Sequence, residues 1–157
     1  MDKVRLREVI EDDLPILFEY QRDPEAVLMS ALNARDWDAF TTHFAKILID
    51  ETVVIRTVLF NGEVAGTVTS FDREGVREVG YLIGKAYWGR GVATAALREF
   101  LRLTSVRPLR AIVAKHNPAS VRVLEKNGFA ITGYRTAPPD DRWAEEVEEV
   151  LMRLEGP

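Results

Sequence analysis

The dipeptide Asn61-Gly62 stands between two β-branched runs, "TVVIRTVLF" and "EVAGTVTSF", and constrains the chain more than any other local feature. Both residues tolerate the positive φ of a tight reversing turn, so the runs predict two antiparallel strands joined as a hairpin. A second polar turn, Asp72 to Gly75, leads into "REVGYLI", which extends the hairpin to a three-strand meander. Gly80 inside that third strand predicts a bulge, or a backbone that something approaches closely.

Beyond the meander the period changes. From about Gly91 to Leu103, Ala93, Leu97, Phe100 and Leu101 share one helical face. "LRAIVA", Leu109 to Ala114, predicts a short buried strand, and "NPASVRVLEKNGF" a short helix with Asn117 as cap, Pro118 in its first position and Gly128 as terminator. Upstream, "KVRLREV" alternates as an opening strand, and "EDDLPILFEY" supplies acids and a proline that favour a helix start. Trp37, Phe40, Phe44, Ile47 and Leu48 recur at spacings of three and four, on one side of another helix. Strand-helix alternation after a meander implies a mixed α/β sheet with helices on its faces. "ITGYR" predicts a further strand. "WAEEVEEVLMRLE" fits two periods, the helical one slightly better.

A chain of 157 residues suits one domain, residues 1–157. A net charge of −4 gives no long-range pull toward nucleic acid or an anionic membrane, so neither is an expected partner. No cysteine is present, which excludes a disulfide framework and a thiolate nucleophile. The N-terminus mixes acids and bases without the apolar core of a signal peptide, and no apolar run approaches the roughly 20 residues that cross a bilayer. A cytoplasmic protein is the expectation. His43 and His116 lack metal-ligand spacing with the nearby acids, so no metal is expected; each reads first as an ordinary surface or core-edge histidine.

The stretch "YWGRGVATAAL", Tyr87 to Leu97, sets two glycines around Arg90 at the mouth of the predicted helix. It lacks GxxxxGK[ST], and Thr94 stands where GxGxxG would need its last glycine, so both common nucleotide fingerprints fail. Two readings stay open: a tight turn into a helix, or an anion site where free helix-start amides, glycines and Arg90 receive a phosphate.

"EVGYLIGKAYWGRGVATAAL" followed by "NPASVRVLEKNGF" resembles the cofactor half of the GCN5-related N-acetyltransferase (GNAT) superfamily, especially the branch with the ribosomal-protein N-terminal alanine acetyltransferases. The resemblance is close from about Glu78 to Phe129 and looser over nearly the whole chain. It implies a largely antiparallel twisted sheet of six to seven strands, about four flanking helices, and a splay at a central cofactor site. It also implies a C-terminal pair of strands, Phe129 to Arg135 and Val147 to Leu154, against the helical period of the second.

The same resemblance implies acetyl-coenzyme A as acyl donor. Gly89, Arg90, Gly91, Val92, Ala93 and Thr94 match the segment that wraps the pyrophosphate. Trp88 stands where the family usually has glutamine or arginine, which shifts weight onto Arg90 for any side-chain contact. The strand "VGYLI" matches the one that pairs with the pantetheine arm, with backbone amides near Leu82 and Ile83 as oxyanion donors. Asn117 matches the family asparagine at that arm, although as bare sequence it is first a helix cap. Many members place a tyrosine in the second motif to serve the departing thiolate; Leu124 stands there. Ser120, one turn earlier, is the replacement that the resemblance suggests, and its other reading is packing or capping of the helix start. Glu78 is the expected base or amine-binding group, its other reading being a strand-edge charge. Reading the function as amine N-acetylation leaves the acceptor open between a protein N-terminus and a small amine such as an antibiotic or polyamine. A noncatalytic coenzyme A-binding module is the alternative. Acceptor walls are expected from Tyr20, Trp37, Phe71, Tyr134 and Trp143, and cation steering from Asp140, Asp141, Glu145, Glu146, Glu148 and Glu149, each with a packing or solvated-surface alternative. Dimers are common in the family, but no sequence pattern here marks an interface.

Overall fold

The structure, a computed structural model, describes residues 3–30, 33–138 and 146–156. Among the described residues the α-helices and strands are ordered as β1 (Val4–Arg7), α1 (Leu14–Arg22), α2 (Pro24–Ser30), α3 (Trp37–Leu48), β2 (Val54–Phe60), β3 (Glu63–Arg73), β4 (Val76–Ile83), α4 (Val92–Leu103), β5 (Leu109–Ala114), α5 (Pro118–Lys126), β6 (Ala130–Ala137) and β7 (Val147–Leu154). The strands form one sheet of seven in the order β1-β2-β3-β4-β5-β7-β6. Every neighbouring pair is antiparallel except β4 and β5.

The meander forms as the turn chemistry predicts: Asn61 and Gly62 take φ of 50° and 86°, and Glu74 and Gly75 make the second positive-φ turn at 55° and 74°. The last segment is strand, not helix, because Val147, Val150 and Met152 are buried on a strand between β5 and β6. Tertiary pairing overrides a helical period that was real but local. Helix α2 was not anticipated; the side chain of Asp23 accepts from the amides of Glu25 and Ala26, each at 3.0 Å, and starts it.

The irregularity expected at Gly80 lies elsewhere. β3 and β4 pair without interruption through Thr69↔Gly80, and the bulge is on β3, where the β2 register jumps at Val58/Leu59 and leaves Ala65 extra. Beside it, Gly66 meets Leu82 so closely that an added Cβ would stand 1.9 Å from the Leu82 carbonyl oxygen. Gly66→Ala must therefore push β3 from β4. It is expected to cost about 1–3 kcal/mol, read as a lower urea midpoint at unchanged slope.

The sheet separates two layers. On one face Val58, Val68, Val79, Ile83, Ala111, Val113 and Met152 pack against Val92, Ala96, Leu97 and Phe100 of α4 and Leu124 of α5. On the other, Leu17 of α1 and Phe40 and Phe44 of α3 cover Ile55 of β2. Asp13 pins the start of α1 to the sheet: its carboxylate accepts from Arg7 at 2.6 and 2.8 Å and from the Thr57 hydroxyl at 2.7 Å. Burial works against its charge, yet the Arg7, Ile10 and Thr57 hydrogen bonds hold it below the usual carboxylate range. Among the described residues no helix is long and apolar enough to cross a membrane.

Candidate active site

The sheet comes apart between β4 and β5. Their pairing register is the single pair Glu78↔Arg110. Beyond it β4 stays with β3 as far as Ile83, while β5 follows β7 through all six of its residues. Among the described residues, one edge of β4 from Val79 to Ile83 is thus left without a ladder partner. Peptide groups alternate along a strand, so the ladder to β3 decides which of them face this gap. Gly84 donates its amide to Ala65 on β3 at 2.8 Å, and the Leu82 carbonyl is aimed at Gly66. The peptides of Leu82 and Gly84 therefore face β3, and those of Tyr81 and Ile83 face the gap. Of the two expected oxyanion donors, only Ile83 is turned toward it. At Gly80 an added Cβ would meet nothing within 4 Å among the described residues.

At the end of β4 the chain makes a 3-10 turn, Lys85–Tyr87, and enters α4 through Gly89 and Gly91, whose φ values are 72° and 76°. Gly84 begins the turn under the Tyr20 ring, where a Cβ would lie 2.7 Å from the ring. Among the described residues no side chain caps α4, and its first intrahelical bond runs from Ala95 to the Gly91 carbonyl at 3.1 Å. The amides of Val92, Ala93 and Thr94 precede that bond and have no acceptor within the helix. The Arg90 guanidinium lies 4.6 Å from the centre of the Phe60 ring, at the rim of the loop. Trp88 donates its indole N–H to the Ile83 carbonyl at 2.8 Å, so this side chain ties the loop to β4.

α5 approaches the gap from the α4 face. The Asn117 side chain accepts from the Ser120 amide at 3.4 Å, which makes it the cap that its position predicts. Asn127, at the other end, donates to the Thr94 carbonyl at 3.2 Å and locks α5 to the first turn of α4. Leu124 is 2% exposed and belongs to the core. The Ser120 hydroxyl instead meets the Tyr81 hydroxyl at 2.5 Å, across from α5 to β4. Burial, opposed by this hydrogen bond, pushes the Tyr81 phenol up to about 12, so it is neutral throughout the physiological range. Sequence reasoning missed Tyr81. The signal was there: in "EVGYLI" it shares strand parity with Val79 and Ile83, which face the helix carrying Ser120.

Glu78 has the opposite parity and lies on the other face. It is 5% exposed; Arg73 reaches one carboxylate oxygen at 2.5 Å, and Arg110 reaches the other at 2.9 and 3.2 Å. The chain of charge continues from Arg110 to Glu74 at 2.8 Å, from Glu74 to Arg135 at 3.4 Å, and from Arg135 to Glu149 at 2.8 Å. This ladder of alternating charge crosses from β3 to β6 at the root of the gap. Glu78 is therefore not an isolated strand-edge charge, and Glu149, fully buried, does not belong to an acidic surface. Glu148 is exposed and pairs with Lys115 at 3.2 Å. Asp140, Asp141, Trp143 and Glu145 lie outside the described residues. Trp37 stacks on Phe40, Tyr20 donates to the Val64 carbonyl at 2.6 Å, and Tyr134 is exposed on β6. His43 packs edge-on to Phe44, and His116 is 2.8 Å from the Leu28 carbonyl. Among the described residues no group of three or more histidines and acids is placed to hold a metal ion.

The comparisons agree with this architecture. The family model described as "Acetyltransferase (GNAT) domain" matches residues 3–130. The uncharacterized N-acetyltransferase p20 of Bacillus licheniformis is 23% identical over 153 residues, spanning 84% of this chain and 82% of that protein. The spermidine N-acetyltransferase of Vibrio cholerae, solved with CoA and spermine, superposes with a TM-score of 0.83 at 16% identity over 97% of this chain and 95% of that one. RimL, a ribosomal L7/L12 α-N-protein acetyltransferase solved with coenzyme A, does so with a TM-score of 0.81 at 15% identity over 98% and 94%. With the family matched across most of its length and a seven-strand sheet opened between β4 and β5, this chain belongs to the GNAT family of acetyltransferases.

Proposed function

We propose that the protein transfers the acetyl group of acetyl-coenzyme A to a primary amine by direct attack in a ternary complex. The observation that carries this reading is the gap itself: one pair, Glu78↔Arg110, then an unpaired β4 edge that runs toward the uncapped amides of α4. An amide-bearing arm can pair with that edge as an added strand, and a pyrophosphate at its far end meets Val92, Ala93 and Thr94, with Gly89 and Gly91 permitting close approach. Arg90 swings from Phe60 to add charge, and Trp88 holds the loop that presents these groups. Asn117, at the head of α5, orders the segment that borders the arm.

In this arrangement the gap-facing amides of β4, those of Tyr81 and Ile83, are the donors within reach of the arm, and the one beside the thioester carbonyl donates to the developing oxyanion. The amine arrives on the Glu78 face and the sulfur departs on the Ser120 face. Glu78, held by two guanidiniums, acts on the amine through water or as a fixed negative charge, and Ser120 donates a hydrogen bond to the departing thiolate. The acceptor is a protein N-terminus or a small amine. The likeness to RimL supports the first, as does the resemblance to the ribosomal-protein branch; the likeness to the spermidine enzyme supports the second. The proposed setting is the cytoplasm, with a homodimer as the proposed assembly.

Titration calorimetry with coenzyme A, followed by thiol release from acetyl-coenzyme A over a panel of N-terminal peptides, polyamines and aminoglycosides, tests the reading. Expected are binding, turnover of at least one amine, and a Ser120→Ala variant with kcat lower by about 10–100-fold at unchanged coenzyme A affinity, the range for one hydrogen bond to a charged group. Leu124 in the core motivates the alternative, a noncatalytic coenzyme A-binding module, which binds without releasing thiol from any acceptor.

A further inference from the structure

We infer that Tyr81 is a positioning residue for the leaving-group step: it donates its phenolic hydrogen to Ser120 and so turns the Ser120 hydrogen toward the departing sulfur. The inference rests on the acetyl-transfer reading above and deepens it. Its basis is the 2.5 Å contact between the two hydroxyls, bridging β4 and α5.

Two hydroxyls in contact share one hydrogen along the line between their oxygens and leave the other free. The phenol is the stronger acid of the two, so it is the donor and the serine oxygen the acceptor. Burial keeps the phenol protonated, with its ionisation pushed up to about 12, and the donor is not lost at any pH where the protein works. A serine in the first turn of a helix otherwise rotates freely or bonds back to a carbonyl one turn earlier. Accepting from Tyr81 removes much of that freedom. The order already present in the pair need not be created as the thiolate forms.

The step balances without a proton leaving either hydroxyl. The amine lone pair forms the C–N bond, the C–S bond breaks, and its electron pair goes to sulfur, where the Ser120 hydrogen bond stabilises it. The nitrogen loses a proton on becoming an amide, and through solvent that proton neutralises the thiolate. Full transfer from Tyr81 would be uphill, because a phenol held near 12 is a weaker acid than a thiol whose ordinary value is about 8.5.

The test is a double-mutant cycle on kcat with the Tyr81→Phe, Ser120→Ala and combined variants, alongside coenzyme A affinity. Tyr81→Phe keeps the ring that packs against the core and removes one oxygen. Expected are a fall in kcat of about tenfold, unchanged coenzyme A affinity, and a combined variant no slower than Ser120→Ala, since Tyr81 acts through Ser120. Effects that multiply in the combined variant, or a Tyr81→Phe enzyme with the wild-type kcat, overturn the inference while leaving acetyl transfer standing. A wild-type protein that binds coenzyme A and acetylates nothing in the panel overturns both.

A second measurement needs neither turnover nor a folded Tyr81→Phe variant. The four tyrosines are labelled with carbon-13 at Cζ, and the Tyr81 signal is assigned by elimination from variants of the other three. That signal is expected to remain that of a phenol beyond pH 10 and to move in Ser120→Ala. A Tyr81 signal identical in the wild type and Ser120→Ala overturns the pairing.

Discussion

Glu78→Ala is expected to destabilise the fold by about 3 kcal/mol, seen as a lower denaturant midpoint, because it leaves two guanidiniums at the root of the gap without their shared anion. The side chains of Arg73 and Arg110 are 24% and 16% exposed, so they retain limited solvent. Their carboxylate also joins three strands: Glu78 is on β4, Arg73 on β3 and Arg110 on β5. Its loss weakens the one register pair that fixes where β4 and β5 begin to separate. Glu148→Ala is the contrast. Its pair with Lys115 is solvated on both sides, with 65% and 59% exposure, and its removal should change stability by less than about 1 kcal/mol. The pH dependence of kcat in Glu78→Gln then separates structure from chemistry. A displaced acid limb supports a part for Glu78 on the amine side, whereas an unchanged limb confines it to the ion-pair ladder.

Much of the fold was legible because its strongest signals are local. Asn61-Gly62, Pro118 after a capping Asn117, and the small-residue start of α4 each dictate backbone geometry through their own side chains, or the lack of one. The C-terminal segment was not legible in this way. Val147, Val150, Leu151 and Leu154 satisfy a helical stripe, and only the presence of β5 and β6 on either side makes a strand the better burial. The site shows the same division. The glycines and Asn117 are sequence-local devices and stand where the sequence places them. The Tyr81–Ser120 contact joins residues 39 apart, and the Glu78 ladder reaches Glu74 and then residues 61 positions further on. No spacing rule finds such pairs. Strand parity could have assigned Tyr81 and Glu78 to opposite faces, but it could not have shown that Arg73 and Arg110 converge on the second.

Gly91→Val is expected to weaken coenzyme A binding by about 10–100-fold while costing the fold only about 1–2 kcal/mol. The two effects separate because, among the described residues, nothing crowds this position: an added Cβ at Gly91 would meet no atom of theirs within 4 Å. The penalty is one of backbone conformation. Gly91 caps α4 at φ 76° and ψ 7°, a left-handed geometry that a β-branched residue resists. The chain can relieve that strain by rotating the adjoining peptides, and this rotation carries the Val92 amide out of line with those of Ala93 and Thr94. Three convergent donors then become two, and an anion bound by all of them is lost faster than the helix is. Gly91→Asn, which tolerates the left-handed region, should recover a large part of the affinity. Acetyl-pantetheine supplies the decisive comparison, since it has the reacting end and the arm but no pyrophosphate. Turnover of acetyl-pantetheine by Gly91→Val at the wild-type rate, together with weakened coenzyme A binding, locates the defect at the pyrophosphate. Coenzyme A affinity equal to wild type would place the pyrophosphate away from the start of α4.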